Sequence, residues 1–141
     1  MSRFDNFVQF VKFGMVGVTN TIISYAVYFV VLLSLKDIEV SWDYIVGNII
    51  SFVLSVLWSF YWNNRFVFKA KDGTSRNIWI TLMKTYVAYG FTGIILSNVL
   101  SFLWIDKLCV SKYIAPILNL VISVPFNFIV NKKWTFKERN I

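Results

Sequence analysis

Histidine is absent from this 141-residue sequence, and cysteine occurs once, at Cys109. Without histidine, the chain lacks the side chain most often used for proton transfer near neutral pH and the commonest metal ligand. A single cysteine excludes an intramolecular disulfide and a cysteine metal cluster. The sequence also contains no nucleophile–base pair and no nucleotide-binding glycine loop. It therefore predicts no enzyme active site, no metal site and no cofactor.

Charged residues are scarce, at 15% of the chain against 57% hydrophobic residues. Four stretches contain no ionisable side chain other than tyrosine: residues 13–35, 44–64, 85–105 and 113–131. About 20 apolar residues cross the hydrocarbon core as a helix, so each stretch predicts a membrane span, the fourth being short. Continuous apolar runs differ from the alternating segments of a transmembrane barrel. We expect a single all-α transmembrane domain over 1–141, with helices at about 10–35, 44–63, 78–105 and 113–131.

Basic residues are divided unevenly among the segments that connect these helices. Eleven of the 14 lie in the N-terminal arm, the central linker, the C-terminal tail or the adjacent helix ends, and three lie in the two short loops. The positive-inside rule therefore places both termini and the linker in the cytoplasm. Four helices make a thin bundle, so we also consider a homodimer, whose subunits this strong bias predicts to be parallel.

The chain contains an internal repeat, because NNRFVFK at 63–69 recurs as NKKWTFK at 131–137. Before each copy, polar residues spaced by four form a stripe on one helix face. The two stripes are Ser51, Ser55, Ser59 and Asn63, and Asn119, Ser123, Asn127 and Asn131. The sequence thus predicts two tandem hairpins that run in the same sense, as a parallel repeat.

Two interpretations of the stripes stay open. Small and weakly polar residues at this spacing let transmembrane helices approach closely and hydrogen-bond. The glycine pairs Gly14 and Gly17, and Gly90 and Gly93, fit that explanation. Alternatively, the stripes form a polar seam that contacts a head group. The three asparagines of the second stripe favour the seam, because an amide in hydrocarbon is costly without a partner.

Four cations are predicted to lie where spans meet the cytoplasmic interface: Lys12, Arg65, Lys84 and Lys133. One interpretation is snorkelling to lipid phosphates, with an aromatic belt made by Phe66, Phe68, Trp134 and Phe136. The other is a specific site for an anionic head group, since an ionisable residue within a span is costly and often functional. Phosphate or diphosphate is the ligand that ammonium and guanidinium groups suit.

The segments FVKFGMVGVTNTIISY at 10–25 and FNFIVNKKWTF at 126–136 resemble the two characteristic ends of the GtrA-like family. The resemblance covers essentially the whole chain. The one departure from the family pattern is that Ser59 takes the place in the first half that Asn127 holds in the second. It implies a small four-helix protein of the bacterial cytoplasmic (inner) membrane. It further implies translocation of a polyprenyl-phosphate-linked sugar for surface-polysaccharide glycosylation, such as that of O-antigen or teichoic acid, beside a membrane glycosyltransferase.

On this resemblance, we expect the lipid phosphate to contact Lys12, Arg65, Lys84 and Lys133. The sugar is expected to contact Asn20, Asn63, Asn127 and Asn131. An alternative function is an accessory membrane subunit that recruits or stabilises the glycosyltransferase. Small-molecule export is disfavoured, because no Asp or Glu lies well inside a span to exchange protons. No nucleic-acid partner is expected.

Overall fold

The computed structural model describes residues 2–38, 41, 43–111 and 114–140. The chain divides into two compact units, Met1–Lys69 and Ala70–Ile141. Each unit is a helical hairpin, and the boundary follows the first copy of the repeated segment. The single domain over 1–141 and the parallel repeat stay predictions.

The first unit contains α1 (Arg3–Leu35) and α2 (Asp43–Trp62), and a 3-10 turn (Lys36–Ile38) follows α1. A capping box starts α1, in which the Ser2 hydroxyl accepts from the Asp5 N–H and the Asp5 carboxylate accepts from the Ser2 N–H. The helix therefore begins well before the predicted start at about residue 10. A π-helical segment, Asn63–Val67, extends α2.

The second unit contains a long helical rod, Ile78–Lys107. This rod consists of α3 (Ile78–Gly90), a π segment (Phe91–Leu96), α4 (Ser97–Phe102) and a second π segment (Leu103–Lys107). The returning helix is α5 (Ala115–Val130), which a π segment extends through Asn131–Thr135. Tyr113, the predicted start of this helix, lies outside the described residues.

A short strand pair, absent from the sequence prediction, joins the two ends of the second unit. Strand β1 (Thr74–Ser75) pairs antiparallel with β2 (Arg139–Asn140). The turn before β1 closes with a 3.1 Å hydrogen bond from the Thr74 N–H to the Lys71 carbonyl. Gly73 has φ 79°, the left-handed value that the third position of a type II turn requires.

Within the part of the chain that the structure describes, three helical segments are long and apolar enough to cross a membrane: Arg3–Ile38, Ile45–Val67 and Ile78–Lys107. Large apolar side chains on the helices face outward, among them Leu33, Trp79 and Val121, which are 69%, 75% and 67% exposed. Such surfaces are unfavourable in water but suit contact with lipid. The prediction of an all-α integral membrane protein is confirmed, while the orientation of the termini stays a prediction.

Close helix packing occurs at a glycine other than those expected. A Cβ at Gly14, Gly17, Gly90 or Gly93 would meet no atom of the described residues within 4 Å, so none of the four packs closely against another helix of its own hairpin. A Cβ at Gly47 of α2 would instead lie 2.8 Å from Cδ2 of Tyr28 on α1. Gly47 thus lets α1 and α2 approach at this point.

Candidate functional site

Both polar stripes lie on buried helix faces, with Asn127 the one half-buried member. In the first stripe, the Ser51 and Ser55 hydroxyls donate to carbonyls of their own helix, at 3.1 and 3.2 Å. These serines therefore satisfy their hydroxyls within α2 and act as small residues at a packed face. Their geometry agrees with the packing interpretation of the stripe.

The asparagines that end the stripes begin the terminal π segments of the two hairpins. Asn63 and Asn131 are both 0% exposed. The Asn63 amide donates to the Ser59 hydroxyl at 3.0 Å, and the Asn131 amide donates to the Asn127 carbonyl at 2.7 Å. The backbone carbonyl oxygens of the two asparagines accept from the backbone N–H groups of Phe68 and Phe136, five residues on, at 2.7 and 2.8 Å. Two of the four residues predicted to contact sugar thus organise a helix end.

The other two predicted sugar contacts, Asn127 and Asn20, lie in different environments. Asn127 is half-buried, and its Oδ1 lies 2.6 Å from the Thr92 hydroxyl. Asn20 is also half-buried, but its buried Oδ1 has no hydrogen-bond partner among the described residues. Asn20 therefore has hydrogen-bonding capacity available to a ligand.

Asn20 lines a polar cavity of about 490 Å³ in the first unit. Its walls come from the bodies of α1 and α2: Asn20, Thr21, Ser24, Tyr25, Tyr28, Asn48 and Ser51. None of the other three asparagines predicted to contact sugar lines this cavity. The sequence did carry a signal for part of it, since Asn20, Ser24 and Tyr28 are spaced by four on one face of α1.

The predicted phosphate-binding cations of the first unit meet at one end of the hairpin. Lys12 is half-buried, and its Nζ lies 4.9 Å from the ring centre of Phe66. Arg65, the residue before Phe66, is exposed. A cation–π contact at this distance holds the lysine against the end of α2. The hairpin therefore brings Lys12 to the segment that carries Arg65.

The second unit repeats this arrangement with Lys84 and Lys133. The half-buried Lys84 has its Nζ 5.3 Å from the ring centre of Trp134 and 3.3 Å from the Trp134 carbonyl oxygen. Lys133, the residue before Trp134, is exposed. In both units, a lysine of the first helix contacts the aromatic residue that follows an exposed cation.

The aromatic residues of the repeated segments do not all form a lipid-facing belt, which corrects that expectation. Phe66 and Trp134 are 44% and 42% exposed, whereas Phe68 and Phe136 are 5% and 3% exposed. Phe68 packs edge-on against Phe13 of α1, with ring centres 6.1 Å apart. In each copy of the repeated segment, the first aromatic residue is therefore exposed and the second is buried at the end of the hairpin. We call the two buried residues, Phe68 and Phe136, the anchors of the hairpin ends.

Comparison with known proteins gives two relatives, from Shigella phage SfV and Shigella phage SfII, each named bactoprenol-linked glucose translocase. Each is 29% identical to this chain over 129 residues, which cover 92% of the chain and 95% of the relative. No solved structure matches the chain. The family model described as GtrA/DPMS, transmembrane domain, matches residues 12–140. The predicted family is therefore confirmed, and the chain belongs to the GtrA/DPMS transmembrane domain family.

Proposed function

We propose that this chain translocates a polyprenyl-phosphate-linked sugar across the bacterial inner membrane for glycosylation of a cell-surface polysaccharide. The cavity between α1 and α2 carries the proposal, because polar side chains line it within the bodies of two helices that are apolar enough to cross a membrane. Polar side chains within a span typically face a water-filled cavity or a substrate path. The name of the two phage relatives, bactoprenol-linked glucose translocase, supports a sugar carried on a polyprenyl lipid.

The chemistry of the cavity suits a sugar. The amides of Asn20 and Asn48 and the neighbouring hydroxyls can donate to and accept from sugar hydroxyls. Tyr25 and Tyr28 add aromatic surface with a polar tip. The volume of about 490 Å³ falls in the range of roughly 300–1,000 Å³ that small-molecule sites occupy. We place the sugar here, while the prenyl chain stays in lipid.

The lipid phosphate is placed at the hairpin ends, beside Lys12 and Arg65 or beside Lys84 and Lys133. In each pair, the lysine is held over an aromatic ring and the second cation is exposed. Charge-assisted hydrogen bonds from these groups would hold a phosphate near the interface. Translocation needs no covalent step, and we assign none to the chain. Because the sequence has no carboxylate deep in a span, we expect movement down a gradient.

The test measures transbilayer movement of a short-chain polyprenyl-phosphate glucose in proteoliposomes, scored by access of an impermeant reagent. We expect movement above that in empty liposomes, and a loss of about tenfold or more in the double variant Asn20→Ala/Asn48→Ala, which removes two amides from the cavity. Asn98→Ala is the matched control, because Asn98 lies in the rod of the second unit, is exposed and donates to the Ile94 carbonyl. A double variant that moves lipid at the wild-type rate would refute the sugar site.

A second candidate function is recruitment of the membrane glycosyltransferase that makes the lipid. Exposed cations outside the apolar helices favour it, because each can contact acidic groups of a partner: Lys69 in the first unit, and Lys71, Lys137 and Arg139 in the second. The test uses folded, correctly oriented protein. If that protein moves no lipid alone but retains the glycosyltransferase on membranes, the result supports recruitment over translocation.

We also propose a parallel homodimer. The mass of the reconstituted protein would test whether it is a dimer.

A further inference from the structure

A second polar cavity, of about 190 Å³, lies at the end of the second unit where β1 and β2 pair. Its walls come from the segment before α3, the first turns of α3, the end of the last π segment and the tail that follows it. Four of the residues that line it are cations: Arg76, Lys84, Lys137 and Arg139. None of the described residues that line it is acidic. Cations gathered in one cavity repel one another, and a bound anion relieves that repulsion.

The strand pair fixes the walls of this cavity. Ser75 in β1 pairs with Arg139 in β2, which fastens the tail to the linker. The nearby carboxylate of Glu138 accepts from the Lys71 N–H at 3.2 Å and lies 2.9 Å from the Thr74 hydroxyl. Glu138 is thus engaged with the turn, and it does not line the cavity.

Two of the four cations are positioned without a ligand. Arg76 donates from Nη1 to the Phe136 carbonyl at 3.0 Å, and its guanidinium carbon lies 5.2 Å from the Phe136 ring centre. Burial lowers the pKa of Arg76 and Glu138 opposes that shift, but a guanidinium stays charged at neutral pH. Lys84 is held by the Trp134 carbonyl, 3.3 Å away. Positioned donors favour binding, because less side-chain motion is lost when the ligand arrives.

The hydroxyl of Thr135 points independently to a ligand. The residue lines the cavity and is 2% exposed, and its Oγ1 has no hydrogen-bond partner among the described residues. A buried hydroxyl without a partner is unfavourable, and such groups in native proteins usually bind something. Thr81 also lines the cavity, but its hydroxyl donates to the Asn77 carbonyl at 2.7 Å. Thr135 therefore offers a buried hydroxyl that is able to donate to an anion held by the four cations.

We propose that this cavity binds a phosphate group, carried by a lipid head group or free in solution. The oxygens of a phosphate can accept from guanidinium, ammonium and hydroxyl donors together. The volume is below the roughly 300–1,000 Å³ of typical small-molecule sites, so the cavity holds the phosphate and not a whole sugar lipid. It shares Lys84 with the residues already proposed for the lipid phosphate and adds Arg76, Thr135, Lys137 and Arg139. The proposal stands whether or not the chain moves lipid.

The test uses the full-length protein in maltoside micelles, which contain no phosphate. One arm titrates inorganic phosphate by calorimetry, and the other adds phosphatidic acid and measures binding by native mass spectrometry. We expect saturable binding in at least one arm, and the arm that binds identifies the source of the phosphate. Thr135→Val should weaken that binding about tenfold, and Lys137→Gln with Arg139→Gln about a hundredfold.

Two controls match these variants. Thr85→Val removes a hydroxyl that is also fully buried but donates to the Thr81 carbonyl at 2.9 Å, and Thr85 does not line the cavity. Lys107→Gln removes a cation that contacts Phe102 elsewhere in the unit. Both should bind like wild type. Wild-type protein that binds neither ligand would overturn the proposal.

Wild-type affinity in the cavity variants would also overturn it. Lys137 and Arg139 are exposed, so we expect their double variant to fold. It therefore decides the question if the Thr135→Val variant fails to fold. Unchanged phosphate binding in a preparation that moves no lipid would contradict only the translocation function.

Discussion

The two hairpin units end alike but differ along their helices. Both close on a π segment that begins with a fully buried asparagine, Asn63 or Asn131, and both hold a lysine over an aromatic ring of that segment. In the first unit, α1 runs as an unbroken α-helix for 33 residues. The corresponding rod of the second unit, Ile78–Lys107, contains two π segments.

Polar residues in the helix bodies differ in the same way. In the second unit, the Asn119 amide donates to the Ser101 hydroxyl at 2.8 Å and to the Ser97 carbonyl at 3.2 Å, and its Oδ1 accepts from the Trp104 indole at 3.1 Å. In the first unit, Asn20 leaves Oδ1 without a partner among the described residues. A paired amide stabilises a membrane hairpin, whereas one that faces a cavity is available to a ligand. The matching ends thus hold each hairpin together, whereas the bodies differ in how their asparagine side chains are hydrogen-bonded.

The largest expected change in the free energy of unfolding comes from the two buried anchors of the hairpin ends, Phe68 and Phe136. Phe68→Ala and Phe136→Ala should each lower the free energy of unfolding by about 3 kcal/mol, because they empty buried sites. Phe66→Ala and Trp134→Ala are the controls, since these rings are partly exposed in the same segments. Denaturant titration in micelles measures all four. Equal losses at exposed and buried rings would refute the assignment of the anchors.

A smaller effect should separate the helix bodies. Asn119→Ala removes three hydrogen bonds and leaves the Trp104 indole N–H without its acceptor, so we expect a loss of about 1–2 kcal/mol. Ser51, the residue that the repeat aligns with Asn119, donates to a carbonyl of its own helix. Ser51→Ala should therefore cost less than about 0.5 kcal/mol. The same titration tests both, and similar losses would contradict the contrast between the two bodies.

Much of the fold followed from the sequence, because apolar length and the repeated segments determine it. Charge-free stretches predicted the confirmed all-α membrane class, and the opening and closing segments predicted the confirmed family. The π segments were not predicted, since they differ from α-helix by one residue in hydrogen-bond register and no side chain demands them. Phe68 and Phe136 were misassigned to the lipid-facing belt, because spacing alone does not show that the chain turns inward after each π segment.

The candidate site was predicted in part. The sequence predicted that Lys12, Arg65, Lys84 and Lys133 lie near one membrane interface. It did not predict the contacts of the two lysines with Phe66 and Trp134. The cavity beside Asn20 also needs Asn48, and which residues of α1 and α2 meet depends on how each helix is rotated. The cavity beside β1 and β2 depends on a strand pair of two residues per strand, which is too short to leave a sequence pattern.

The smallest expected effect tests how close packing shapes the cavity beside Asn20. Gly47→Ala would place a methyl 2.8 Å from the Tyr28 ring, so the ring must shift at a cost of about 1 kcal/mol. Because Tyr28 lines the cavity, this variant should also slow lipid movement in proteoliposomes. Gly17→Ala, which meets open space, should leave movement unchanged and stabilise α1 by up to about 1 kcal/mol. If Gly47→Ala lowers stability without slowing movement, Gly47 is a packing residue and Tyr28 does not contact the sugar.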